Sequence, residues 1–211
     1  MSAETAVKHP FFARAYIWLS RGRDPEVEHR QALLSGLEGR VIEVGAGNGL
    51  NFPHYPPEVT EVVAVEPEPT LQDAAREAAS NASIPLEVVD GTASALPAHD
   101  GAFDVGVASL VLCSVPDQSE ALGELRRVIR SGGELRFYEH VVSHDHRRAR
   151  LMRLADRTFW PRIAGDCHMS RDTQSAIEAA GFEIEEVDRF PFSPGVPIPA
   201  LPHIRGIARR P

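Results

Sequence analysis

The 211-residue chain has only two cysteines, Cys113 and Cys167, in neither a CxxC nor any other paired spacing. That excludes a disulfide framework, and two lone thiols fit a reducing compartment. Long apolar runs are missing too. The N-terminal stretch "FFARAYIWL" (11–19) is short, is interrupted by Arg14 and lacks a small-residue cleavage site. The sequence therefore reads as cytoplasmic and without stable membrane insertion. The stretch itself reads as a docked cap helix, with interfacial binding as the alternative. Positive charge is not in excess: 22 Lys and Arg stand against 30 Asp and Glu, a formal charge of −8 with a pI near 5.6. A basic footprint for nucleic acid is absent, and "HDHRRARLMR" (144–153) reads as a solvated helix face. No internal repeat or interdomain linker is evident. The length suits one domain with a full core.

What is present is a regular beat. Residues 9–38 read as two helices broken at "SRGRDP", where Gly22 stops the first and Asp24-Pro25 starts the second. Strands are expected at 40–44, 61–65, 85–89, 103–109 and 133–141, with helices at 70–80 and 117–129 between them. Strands alternating with helices make βαβ units and a parallel sheet covered on both faces, an α/β, Rossmann-like doubly wound fold. The tail departs from this pattern: a helix at 171–181, a strand at 182–190, then "PFSPGVPIPALP" (191–202) and a last strand at 203–209. Five prolines in that strap favour an extended surface segment over a central strand. Residues 1–38 read as a helical cap on a core of 39–211, one structural domain overall.

Ligands of such sheets bind at the carboxyl ends of the strands, near the point where strand order reverses. The loop after the first strand, "VIEVGAGNGLNF" (41–52), alternates Gly45, Gly47 and Gly49. It has no Lys for a P-loop. The dinucleotide pattern GxGxxG needs glycine at 50, where Leu50 stands, which disfavours NAD without excluding it. Glu66 ends the second strand, where a carboxylate accepts hydrogen bonds from both hydroxyls of a ribose, at about 1.5–3 kcal/mol each. Both NAD and adenosine ligands use that device.

The segments "VIEVGAGNGLNF", "VVAVEPEP", "GTASALP", "FDVGVASLVLCSVPD", "ELRRVIRSGGELRFYEHV" and "DCHMSRDTQSAIEAAGF" resemble the successive motifs of class I S-adenosylmethionine-dependent methyltransferases. More narrowly, "SLVLCSV", "EHV" and the closing "PHIRGIA" are similar to the branch of alkyl-thiol S-methyltransferases and their bacterial relatives, from about residue 30 onward. The resemblance implies a seven-stranded sheet, mostly parallel, whose last strand runs antiparallel. It implies S-adenosylmethionine as cofactor. Gly45, Ala46, Gly47 and Gly49 would lie along its methionine and ribose portion, with Glu43 ordering the loop. Glu66 would hold the ribose diol and Pro67 would line the adenine. Gly91, Thr92 and Ala93 would contact adenine, and Ser109 and Leu110 would flank the methionine end. Thr92 and Ser94 stand where relatives often carry an acid, which leaves Asp90 or a main-chain carbonyl for the adenine amino group. Asp166 stands where relatives usually have glycine. The hydrophobic N-terminal anchor of the animal members is absent from this sequence, as expected of a soluble, bacterial-type member.

The expected acceptor is a small hydrophobic molecule, by resemblance a thiol. O- or C-methylation of a phenol, quinone or lipid-like acceptor is the alternative, and cofactor binding without turnover a further one. His140, ending the fifth strand, is the expected substrate-side proton acceptor and so the catalytic candidate. Tyr16 and Trp160 are candidates for the substrate wall. Cys113 lies in an apolar run and reads as a buried, inert thiol. His144 and His146 in "EHVVSHDH" do not meet zinc-ligand spacings, so no metal is expected. Neither the oligomeric state nor the acceptor is legible.

Overall fold

A computed structural model describes residues 10–22, 24–193 and 199–211. Helices α1 (Pro10–Ser20) and α2 (Val27–Leu34) precede β1 (Gly39–Val44), β2 (Val59–Val65), α3 (Pro69–Ala79), β3 (Leu86–Val89) and β4 (Phe103–Ser109). Then come α4 (Gln118–Val128), β5 (Ile129–His140), α5 (His146–Thr158), α6 (Trp160–Ile163), α7 (Thr173–Ala179), β6 (Glu183–Phe192) and β7 (Leu201–Arg209). Carboxylates start four of the helices. Glu68, Asp117, Asp145 and Asp172 each accept a main-chain N–H from the first turn of α3, α4, α5 and α7. Among the described residues, no helix is long and apolar enough to cross a membrane.

The strands form one sheet in the order β3-β2-β1-β4-β5-β7-β6. β1, β2, β3, β4 and β5 pair in parallel. β7 runs antiparallel between β5 and β6, in line with the expectation for the last strand. Alternate residues of each buried strand enter opposite cores. Ile42 and Phe137 pack with Leu122 and Leu125 of α4 and Ile177 of α7 on one face. Val41 and Tyr138 pack with Leu33 and Leu34 of α2 and Ala75 of α3 on the other. The second N-terminal helix is thus part of the core.

Two boundaries differ from the sequence expectation. Helix α4 runs directly into β5, so that Phe103 pairs with Ile129 before a register shift sets Val105 opposite Glu134. The proline strap also joins the sheet at both of its ends, with Pro191 opposite Pro202 and Phe192 opposite Leu201. Pro202 therefore sits in a strand with neighbours on both sides. It is tolerated because its carbonyl still accepts the Val141 N–H at 3.0 Å and the residue opposite is a proline on the edge strand. Residues 194–198 of the strap lie outside the described residues.

Two devices hold the loops at the carboxyl edge of the sheet. Glu139, fully buried in β5, accepts the N–H groups of Val111 and Leu112 on Oε1, at 3.0 and 2.8 Å, and that of Cys113 on Oε2 at 3.1 Å. Burial pushes its carboxyl up to about 7, and the three hydrogen bonds pull the other way. The second device is missing side chains. A Cβ on Gly45 (φ +67) would lie 2.3 Å from Val111 Cγ2, and one on Gly49 (φ +82) 2.7 Å from the Phe52 ring. Packing against Val111 and Phe52 thus demands glycine at two of the three loop positions, a demand that the sequence reading, which looked only to a ligand, did not include.

Both devices are measurable by urea unfolding. Glu139→Ala leaves three buried N–H groups without an acceptor, at about 1–3 kcal/mol each, so a loss of at least about 3 kcal/mol is expected. A loss below about 1 kcal/mol would mean that the loop finds other partners. Gly49→Ala combines overpacking with a left-handed backbone and is expected to cost about 2 kcal/mol or more; a neutral result would show that Phe52 moves freely.

Candidate active site

The strand order reverses between β1 and β4, and a cavity of about 790 Å³ opens there. It lies within the range of about 300–1,000 Å³ usual for small-molecule sites. Its walls come from the ends of six strands: Glu43 and Val44 of β1, Val65 of β2, Ser109 of β4, His140 of β5, Phe192 of β6 and Leu201 and His203 of β7.

At one end lies the glycine loop. Gly45 and Ala46 donate their N–H groups to the Val65 carbonyl at 2.8 and 3.1 Å, which folds the loop over β2. Gly45 and Gly47 both line the cavity, and a Cβ on Gly47 would meet Tyr16 Cε1, at 3.8 Å. The Gly47 N–H donates to Glu66 Oε2 at 2.8 Å, while Glu66 Oε1 accepts from Glu68 N at 3.0 Å. Burial pushes the Glu66 carboxyl up to about 7, against the pull of these two bonds. Pro67, Gly91, Thr92, Ala93 and Leu110 line the cavity as well. Asp90 does not: it is exposed and accepts from Gln72 Nε2 at 2.9 Å. Gly49 is likewise absent from the lining.

Behind the loop stands a buried polar relay. Glu43 accepts from Asn51 Nδ2 and from the Tyr55 hydroxyl, both at 2.7 Å, and burial pushes it up to about 7. Arg30 donates to Asn51 Oδ1 at 3.1 Å and to Ser109 Oγ at 3.2 Å, and it pairs with Asp24 and Glu26. Sequence reasoning missed Arg30. The Glu26–Arg30 spacing was visible, but nothing in it says that a helix would aim this guanidinium at the ends of β1 and β4.

The other end is aromatic and sulfur-bearing. Phe12, Trp160 and Phe192 line the cavity, and Tyr16, stacked on Phe12 at 5.9 Å between ring centroids, reaches from this wall to Gly47, with burial raising its hydroxyl. Cys113, His140 and Cys167 converge there, with donor atoms within 4.8 Å of one another, and Cys167 Sγ lies 3.4 Å from His140 Nδ1. The Cys113 hydrogen bond, then that of His140, holds the Cys167 thiol well below its ordinary range. Cys113 moves up, through the same bond to Cys167 and through burial. Burial alone would lower His140, but its contact with Cys167 holds it above the usual imidazole value. His203 packs on His140 at 4.4 Å between ring centroids, and burial, with the nearby His140, pushes it down to about 3. Cys167 and His203 were not singled out from the sequence, and Cys113 had been read as inert. His144 and His146 are exposed and take no part.

Comparison with known proteins matches this geometry. A family model described as "Methyltransferase domain" matches residues 42–137. Thiol S-methyltransferase TMT1B of Mus musculus is 35% identical over 180 residues, covering 83% of this chain and 73% of that protein. The solved structure of YcgJ from Bacillus subtilis superposes with a TM-score of 0.71 at 17% identity, over 88% of this chain and 97% of that one. An S-adenosylmethionine-dependent methyltransferase from Mesorhizobium loti gives a TM-score of 0.65 at 18% identity, over 89% and 98%. The structural likenesses show the fold; the similarity to the mouse enzyme over most of both chains shows the family. The chain belongs to the class I S-adenosylmethionine-dependent methyltransferases.

Proposed function

We propose that this enzyme methylates the sulfur of a small hydrophobic thiol. The observation that carries the reading is the makeup of the cavity's far end, where an aromatic wall surrounds a Cys–His–Cys cluster. The similarity to an enzyme named for thiol S-methylation supports it.

The residues present fit the cofactor. Gly47 leaves an open cradle where a side chain would stand, and the Glu66 carboxylate beside it is placed to take the two ribose hydroxyls. Pro67, Gly91, Thr92 and Ala93 form the adenine wall. The main chain of Gly45 and Ala46, with Ser109 and Leu110, borders the methionine end. Asp90, bonded to Gln72 and absent from the cavity lining, is left out of this assignment. S-adenosylmethionine supplies a methyl group on a sulfonium, already a strong donor.

The protein's part is then alignment and the exclusion of water, which in favourable systems is worth about 7–11 kcal/mol. A thiol with a pKa near 8.5 needs less activation than a phenol near 10. Tyr16 and Trp160 wall the acceptor. His140 is the group set against its sulfur, and the acceptor proton leaves at that end of the cavity.

Calorimetry with S-adenosylhomocysteine tests the cradle. Glu66→Ala is expected to weaken binding at least about tenfold, about 1.4 kcal/mol. The hydroxyls donate to the ionised carboxyl, whose value in the free chain is about 7. Affinity is therefore full above that pH and falls about tenfold per unit well below it, and Glu66→Gln flattens the profile. A pH-independent affinity in the unaltered chain would remove Glu66 from the site. Product release with a panel of alkyl thiols, phenols and quinols tests the acceptor. Thiols are expected to turn over at least about tenfold faster; a preference for phenols or quinols would overturn the thiol assignment.

A further inference from the structure

Cys113, His140 and Cys167 reach the cavity from three separate segments: the loop after β4, the last residue of β5 and the loop after α6. Both cysteines are buried free thiols. Bonds of about 2.3 Å to sulfur and about 2.0–2.1 Å to nitrogen set tetrahedral zinc ligands about 3.5–3.8 Å apart. The Cys167 Sγ to His140 Nδ1 distance is 3.4 Å, and all three donor atoms lie within 4.8 Å of one another. The trio is thus close to the span that a single ion requires.

The backbone around the cluster is held in place. Glu139 grips the N–H of Cys113, and the Cys113 carbonyl accepts from His168 N at 2.8 Å, tying the two cysteine loops together. Among the described residues, the two non-glycine positions with positive φ are Leu110 (φ 56) and Asp166 (φ 60). Asp166 directly precedes Cys167, and Leu110 opens the turn that ends at Cys113. Strain of this kind, about 1–3 kcal/mol per residue, persists where the surroundings impose it, and it gathers at functional sites.

The chemistry of the set selects an ion. Two thiolates and a neutral imidazole cancel a double positive charge in a buried place, and sulfur donors favour zinc over magnesium or calcium. Three protein ligands with one corner open is the arrangement of a catalytic zinc site, not of a structural one. All three side chains line the cavity, so the open corner faces it. Beside them His203 donates Nδ1–H to the Leu201 carbonyl at 2.9 Å, which leaves its buried Nε2 an acceptor without a partner among the described residues.

We propose that Cys113, His140 and Cys167 bind one zinc ion and that its fourth position takes the sulfur of the acceptor thiol. The proposal rests on the thiol reading above. When R–SH binds, the S–H bond breaks, the proton passes to bulk water and a metal–sulfur bond forms. The sulfur keeps further lone pairs for the methyl group. The acceptor is then held as a thiolate at neutral pH, and in place.

The test uses the unaltered chain loaded with zinc sulfate or, as a spectroscopic probe, with cobalt(II) chloride. The expected result is about one equivalent of zinc retained through desalting. Cobalt should give thiolate-to-metal charge-transfer bands and the strong visible bands of tetrahedral coordination, shifted by a short alkyl thiol without cofactor. His140→Ala and Cys167→Ser should each weaken zinc binding by more than the ~10–100-fold that losing a supporting partner costs. No retained metal, no charge-transfer band, or a Cys113–Cys167 disulfide in the isolated protein would overturn the site. Cobalt bands unmoved by thiol would overturn the open fourth position. Full thiol methylation by chelator-treated, metal-free enzyme would overturn the metal's role and leave the thiol reading standing. Metal binding with thiol-shifted bands but no thiol methylated would uphold the site and overturn the thiol reading.

Discussion

Three of the loops around the cavity are folded about a buried carboxyl group at the end of a strand. Glu43 collects the Asn51 amide and the Tyr55 hydroxyl, Glu66 collects two main-chain N–H groups, and Glu139 collects three. Burial pushes all three up to about 7. An ionised carboxyl in so dry a place is costly, and the hydrogen bonds offset that cost only where the donors are all in place. Loop shape and carboxyl position therefore determine one another. The glycine loop, the strand-end acid and the 110–113 turn are three instances of one construction.

That construction sets a division of labour across the cavity. The end under β1 and β2 is polar and pre-formed, with Gly47 bare and Glu66 beside it. At the ends of β5 and β7 two thiols and two imidazoles line the cavity, with Phe192 and Trp160 in the same wall. Arg30 joins the halves by bonding Asn51 beside the loop and Ser109 at the end of β4. A nucleoside and the apolar acceptor proposed above make opposite demands on their surroundings, and the cavity draws its walls from both sides of the strand-order reversal.

Much of this was legible beforehand. β-Branched runs such as "RVIEV" and "EVVAV" located the central strands, because strands buried on both faces admit little else. Glu66 stood out as an acid directly after such a run. The glycine spacing marked the right loop but for reasons only partly right: Gly45 and Gly49 answer to Val111 and Phe52, contacts set by tertiary packing and invisible to spacing. Asp90 was named for its nearness to Gly91; its bond to Gln72, and its absence from the cavity lining, are set by tertiary contacts that spacing does not show. Cys113 and Cys167 are far apart in sequence, and only the return of the chain over the end of β5 brings them together. No local pattern encodes such a meeting.

β7 is made after every other strand, yet it lies between β5 and β6, and its first residues reach the cavity because it runs opposite to its neighbours. His203 pairs with His140 across that ladder. A growing polypeptide on the ribosome thus holds an unfinished sheet, with the flank of β5 bare, until residue 203 and those after it have emerged. Pairings of such long sequence separation form slowly. The wall that Leu201 and His203 give the cavity is consequently completed only after β5 has waited for a partner from far along the chain.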